Sequence, residues 1–308
     1  RKNLLFVNQG DLTFKEQAEQ HGLAETGYSI HASFFDMDND HDLDAYVTCR
    51  PDSFDLPLSE MVRQKVLSPA ISRHKLYKNE NGKFREVGLQ AGITNTFGYA
   101  LSVVTSDIDN DGYTDIFVAN DFAESDYLYV NQKNGTFKEQ IKKATNHISM
   151  YSMGTDIADI NNDGWEDIMV SEMLPEDYER SKVSMPSMDV EGFNAIVNNG
   201  MHRQYMHNAL HLNQGNLFFS EISQLSGVAK TEWSWSCLLS DFDNDGWKDL
   251  TPMIVRRYGS SVLSVVPNFD SRAMTEIGFN RDGRLTIPTE EFQHAYERVQ
   301  GHELTAQA

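Results

Sequence analysis

Only two cysteines stand in the 308 residues, Cys49 and Cys237. That is too few for a disulfide framework and leaves one bridge or two buried thiols open. No run approaches the ~20 consecutive apolar residues of a membrane-crossing helix. Basic residues are scarce: 26 Lys and Arg against 46 Asp and Glu give a net charge of −20. Such an excess argues against nucleic-acid backbones and anionic membrane surfaces as partners. The chain also lacks a phosphate loop ending in Lys-Ser/Thr, a Gly-x-Ser-x-Gly nucleophile turn and a paired-cysteine zinc pattern.

What is present in excess is acid, and it is concentrated. The stretches "DMDNDHDLD" (36–44), "DIDNDGYTD" (107–115), "DINNDGWED" (159–167) and "DFDNDGWKD" (241–249) place Asp or Asn at positions one, three, five and nine. Carboxylates this close repel one another unless something compensates them. One such stretch is an ordinary turn; four are a pattern.

A second motif travels with the first. "NLLFVNQGDLTFKE", "HKLYKNENGKFRE", "DYLYVNQKNGTFKE" and "NALHLNQGNLFFSE" share Leu-x-x-Asn and a closing Phe-x-Glu, and that Phe lies 22 or 23 residues before the next loop. Fixed offsets in one direction, with insertions after Asp44 and Asp167, mark a repeat architecture. Short β-branched and aromatic runs flank the loops, and Asn81-Gly82 and Asn134-Gly135 read as hairpin turns. About four short strands per module predict an all-β β-propeller, with four blades visible. "PLSEMVRQKVL" and "LPEDYERSK" predict short helices on the insertions, the second starting at Pro175.

Positions one, three and five of a tight turn converge on one point, the position-seven carbonyl joins them, and Asp at nine returns from the next strand. Six to eight oxygens in irregular geometry suit calcium better than magnesium, and zinc lacks its nitrogen or sulfur ligands here. The expected ligands are Asp36, Asp38, Asp40 and Asp44; Asp107, Asp109, Asp111 and Asp115; Asp159, Asn161, Asp163 and Asp167; and Asp241, Asp243, Asp245 and Asp249. That makes about four Ca2+ sites. Position six requires positive φ and is Gly in three loops; His41 takes it in the first, which ranks weakest.

These loops and the "LYVNQKNGTFKE" segments resemble FG-GAP/VCBS repeats. "SMGTDIADINNDGWEDIMVSEMLPED" and "FSEISQLSGVAKTEWSWSCLLSDFDNDGWKDL" are similar to the cartilage-acidic-protein-like group of exported bacterial proteins. The resemblance implies a calcium-binding propeller, usually of seven blades, with its repeats over residues 1–250 and often joined to an ASPIC/UnbV domain, and carries no catalytic residues. It stops after Leu250, so residues 251–308 are expected to be a divergent tail. Within that tail "FNRDGRLTIPTEEF" resembles half of a helix–loop–helix calcium loop, but Gly278 at the first ligand position and two extra residues before the Glu pair argue against a functional site. The strands that would precede Arg1 in a full ring are expected to be missing.

Other candidates are weaker. His207 and His211 are four apart, but in a strand segment that spacing does not hold them together. Trp233 and Trp235 share a strand face, as core packing or as a stacking platform for a sugar. Asn134-Gly-Thr is a glycosylation sequon that its turn explains. The expectation is a non-enzymatic, calcium-stabilised module, extracellular, cell-surface or periplasmic, serving adhesion to a protein or glycan. A polysaccharide lyase on the same scaffold is the alternative.

Overall fold

Each acidic stretch is the connection of a β-hairpin. The residue before the loop pairs with the Asp that ends it: Phe35 with Asp44, Ser106 with Asp115, Ala158 with Asp167 and Ser240 with Asp249. The computed structural model describes residues 2–53, 56–67, 69–94, 96–184, 190–255 and 261–263. The chain divides into two units, residues 1–107 with 112–140 and residues 108–111 with 141–308.

The first unit holds two antiparallel meanders. One runs Ser29–Phe35, Asp44–Cys49, Lys75–Asn79 and Phe84–Glu86; the other runs Tyr99–Ser106, Asp115–Asp121, Tyr127–Asn131 and Phe137–Glu139. A separate two-stranded hairpin joins Phe6–Asn8 to Phe14–Glu16. The hairpin motif therefore belongs to the same sheet as the loop before it, not the loop after it. Asn81 and Gly82 both take positive φ, as a two-residue hairpin turn requires. At the other expected turn Lys133 and Gly135 do so instead, while the Asn134 side chain accepts from both the N–H and the hydroxyl of Thr136. Phe35, Tyr46, Leu76, Ile93, Ile116, Tyr129 and Phe137 build this unit's core.

The second unit repeats the scheme in the strands Thr155–Ala158, Asp167–Val170, Ala209–Asn213 and Phe219–Glu221. A fourth four-stranded sheet orders Met173–Leu174, Glu232–Ser240, Asp249–Val255 and Ser261–Leu263. Residue 250, the expected domain boundary, lies inside a strand that continues to Val255. The incomplete calcium loop lies outside the described residues. Ile160, Met169, Leu210, Leu212, Val228 and Leu239 form the core here. In both units the inner strands are buried at every position from Asp44 to Cys49, Asp167 to Val170 and Ala209 to Asn213. Burial on both faces is why they read as near-continuous apolar runs.

Helices occupy the insertions as expected at Leu58–Leu67 and, later than expected, at Tyr178–Ser184. The start shifts from Pro175 because the Asp177 carboxylate caps the Arg180 N–H at 2.7 Å. Val190–Asn198 forms a further helix that the sequence reading did not anticipate. Both cysteines are buried free thiols, which decides between the two alternatives left open. No helix among the described residues is long and apolar enough to cross a membrane.

Candidate functional site

Backbone amides organise the acidic loops. At position one, Asp36 Oδ2 accepts from His41 N, Asp107 Oδ2 from Gly112 N, Asp159 Oδ2 from Gly164 N and Asp241 Oδ2 from Gly246 N, all at 2.8–2.9 Å. At position five, Asp40, Asp163 and Asp245 accept from the N–H at position seven. Part of the carboxylate repulsion is thus met by the chain's own N–H dipoles. Burial opposes ionisation of Asp36, yet the N–H groups of His41, Asp38, Asn39 and Asp40 outweigh it and lower its pKa.

His41 takes φ 70, close to the 87, 88 and 91 of Gly112, Gly164 and Gly246. Its side chain is 93% exposed, so position six is a backbone position in every loop.

Three carboxylates converge in each of three loops, and these groups do not include Asp44, Asp111 or Asp245. Asp36, Asp38 and Asp40 each offer one oxygen within 4.8 Å of the others, as do Asp107, Asp109 and Asp115, and Asp241, Asp243 and Asp249. In the third loop Asn161 donates to Asp163 at 2.9 Å and presents its own oxygen to the Asp163 N–H. An Asp could not make the first of these bonds.

Asp at position nine holds the hairpin as well as facing the loop. Asp44 accepts from Met37 N and Asn79 N, and Asp167 from Ile160 N and Asn213 N, at 2.7–3.0 Å. Asp115 accepts from Asn131 N and Asp249 from Phe242 N. Asn79, Asn131 and Asn213 are the Asn of the Leu-x-x-Asn motif, so the two motifs meet in one hydrogen-bonded joint. Burial pushes the Asp44 carboxyl up to about 6 and that of Asp167 up to about 8.

Position four was missed in the sequence, although all four copies carry Asn there. Asn39, Asn110, Asn162 and Asn244 all adopt positive φ. The side-chain amide of Asn39 donates to Gly112 O, that of Asn110 to Gly164 O and that of Asn162 to Gly246 O, at 2.7–3.0 Å. Each of these bonds runs from position four of one loop to position six of the next. An Asn fixed at a non-ligand position in every copy was the available signal.

The first loop has a second peculiarity. The ammonium of Lys78 pairs with Asp38 and lies 4.0 Å from Asp40. Val130 and Leu212 stand at the corresponding position of the two following hairpins and carry no charge.

Outside the loops, Tyr46 and His74 share a hydrogen bond of 2.9 Å, a Tyr-His couple the sequence did not single out. Both are fully buried, and burial lowers the His74 pKa to about 3, so the pair serves the core. His211 is buried in a strand, while His207 lies before it, apart from that strand's register. Trp235 is 45% exposed and buried Ser234 takes the core-facing place across a β-bulge, so core packing does not describe Trp235.

Residues 107–170 match the FG-GAP-like repeat family. No curated protein matches the chain. Among solved structures, an Agrocybe aegerita lectin that recognises non-reducing terminal N-acetylglucosamine is similar at 12% identity, TM-score 0.40, over 85% of this chain and 59% of that one. The V. cholerae biofilm matrix protein Bap1 is similar at 14% identity, TM-score 0.33, over 77% of this chain and 30% of that one. The chain thus spans less than two thirds of either.

Proposed function

We propose that this chain is a calcium-binding, non-enzymatic β-propeller module of an exported or cell-surface protein that presents its loops to a protein or glycan partner. The observation that carries the reading is the convergence of three carboxylates within 4.8 Å in repeated loops of one hydrogen-bonded design. The donors are hard oxygens on turns that tolerate irregular geometry, which fits calcium. The loop beginning at Asp107 would hold it through Asp107, Asp109, Asp111 and Asp115, the next through Asp159, Asn161, Asp163 and Asp167, and the last through Asp241, Asp243, Asp245 and Asp249. Bound calcium supplies the positive charge that offsets carboxylate repulsion and the burial of the position-nine Asp.

In the first loop the Lys78 ammonium takes that part, so three ions are expected where the spacing alone suggests four. Sites of micromolar-to-millimolar affinity fill where calcium is plentiful, which favours an extracellular or periplasmic setting. The repeated four-stranded meanders with an FG-GAP-like repeat support the propeller reading. The test is a calorimetric scan in millimolar calcium and in excess chelator. Calcium at 100 times its Kd should stabilise the fold by about 2.7 kcal/mol per site. An unchanged midpoint would overturn the reading.

A further inference from the structure

A second group of potential ligands lies apart from the acidic loops. The short parallel pair Ile148–Ser149 with Gln204–Tyr205 sets His147 and His207 at its two ends, and their rings stand 5.5 Å apart at 77°. Glu221, at the end of the strand Phe219–Glu221, completes the group: each of the three offers one ligand atom within 4.8 Å of the other two. All three are half-buried. We propose that His147, His207 and Glu221 form a site for a zinc-class divalent transition-metal ion, with a further coordination position left to water.

Four observations support this. First, two imidazoles and a carboxylate are a borderline donor set that suits zinc and its neighbours and not calcium. Second, His147 Nε2 and Glu221 Oε2 are 3.4 Å apart. That is long for a charge-assisted hydrogen bond of about 2.7–2.9 Å, yet close to the edge of about 3.3 Å between two tetrahedral ligands bound at about 2.0–2.1 Å.

Third, the outer partners are in place. His207 Nδ1 lies 2.5 Å from the Asn208 carbonyl, which only accepts, so Nδ1 carries the proton and Nε2 keeps the lone pair. Glu221 Oε1 accepts from Leu210 N at 3.1 Å and Ser223 N at 2.8 Å, fixing the carboxylate and leaving Oε2 for the ion.

Fourth, aromatic rings pack against the two imidazoles and hold them in place. The Tyr205 ring packs edge-on to His147 at 5.1 Å and parallel to His207 at 6.3 Å, with Phe193 behind it. The His147 side chain is 25% exposed, which gives an ion its route in. The site also draws together segments some 60 and 70 residues apart in sequence, where a bound ion would act as a staple.

The experiment is a zinc titration of the full, untagged chain in saturating calcium, which keeps the hard-oxygen loops filled. One zinc per chain is expected beyond those loops. His147→Ala and, separately, His207→Gln should bind it at least roughly a hundredfold more weakly, since loss of even an outer partner costs about 10–100-fold. Cobalt loading should give the intense visible absorption of a four-coordinate ion in the parent and lose it in both variants. Far-ultraviolet dichroism confirms that each variant is folded. No stoichiometric uptake by the parent, or unchanged affinity in two folded variants, would overturn the proposal.

Discussion

The side-chain amide of Asn162 donates to the carbonyl of Gly246 at 3.0 Å, so position four of one acidic loop is latched to position six of the next. Asn162 also holds φ 57, a backbone conformation that Asn tolerates better than Ala. Asn162→Ala should therefore cost about 1–2 kcal/mol of stability, through the lost hydrogen bond and the strain together. It should also weaken calcium binding at the loop starting at Asp241 without removing a ligand. Denaturant unfolding and calcium titration of the variant check both parts.

Lys78 bears on the count of sites. If its ammonium stands in for an ion, Lys78→Val, which copies Val130, should free Asp38 and Asp40 and raise the number of bound calcium ions by one. The new site should be the weakest, since His41 keeps φ 70 where the other loops have Gly. Isothermal titration that returned the same stoichiometry in parent and variant would dismiss the substitution of lysine for metal.

Asp121 gives a pH dependence away from the acidic loops. Burial raises its carboxyl to about 6, against the single opposing bond from Phe122 N. A raised folded-state value means its contribution is fully present below the unfolded pKa of about 3.9 and is lost as pH rises through about 6. Asp121→Asn keeps the acceptor for Phe122 N and removes the charge. The variant should be more stable than the parent by about 1–3 kcal/mol at pH 8 and nearly equal to it at pH 4. Urea midpoints at the two pH values give the comparison.

Much of this architecture was legible in the residues. Strand, loop and hairpin follow from alternation, Asn-Gly turns and fixed offsets, and the convergence of Asp241, Asp243 and Asp249 follows from their spacing in a tight turn. What stayed hidden was pairing between segments. The motif spacing read the hairpin as leading into the next loop, whereas Asn131 N binds Asp115 of the loop before it. The lysine at Asp38 comes from the strand Lys75–Asn79, beyond the insertion that follows Cys49, and nothing local to the loop announces it. His147 and Glu221 are far apart in sequence and meet only because a two-residue parallel pair and a sheet end lie side by side. The Asn at position four is visible in every copy, but its role is a bond to the next loop, which spacing within one loop does not show.

If the acidic loops bind calcium, the ions can be counted. Equilibrium dialysis of the calcium-free chain against millimolar calcium should return three ions per chain. Asp109→Ala and Asp243→Ala should each remove one and leave the others in place. A chain that took up no calcium, or whose uptake neither variant changed, would rule out calcium binding by these loops.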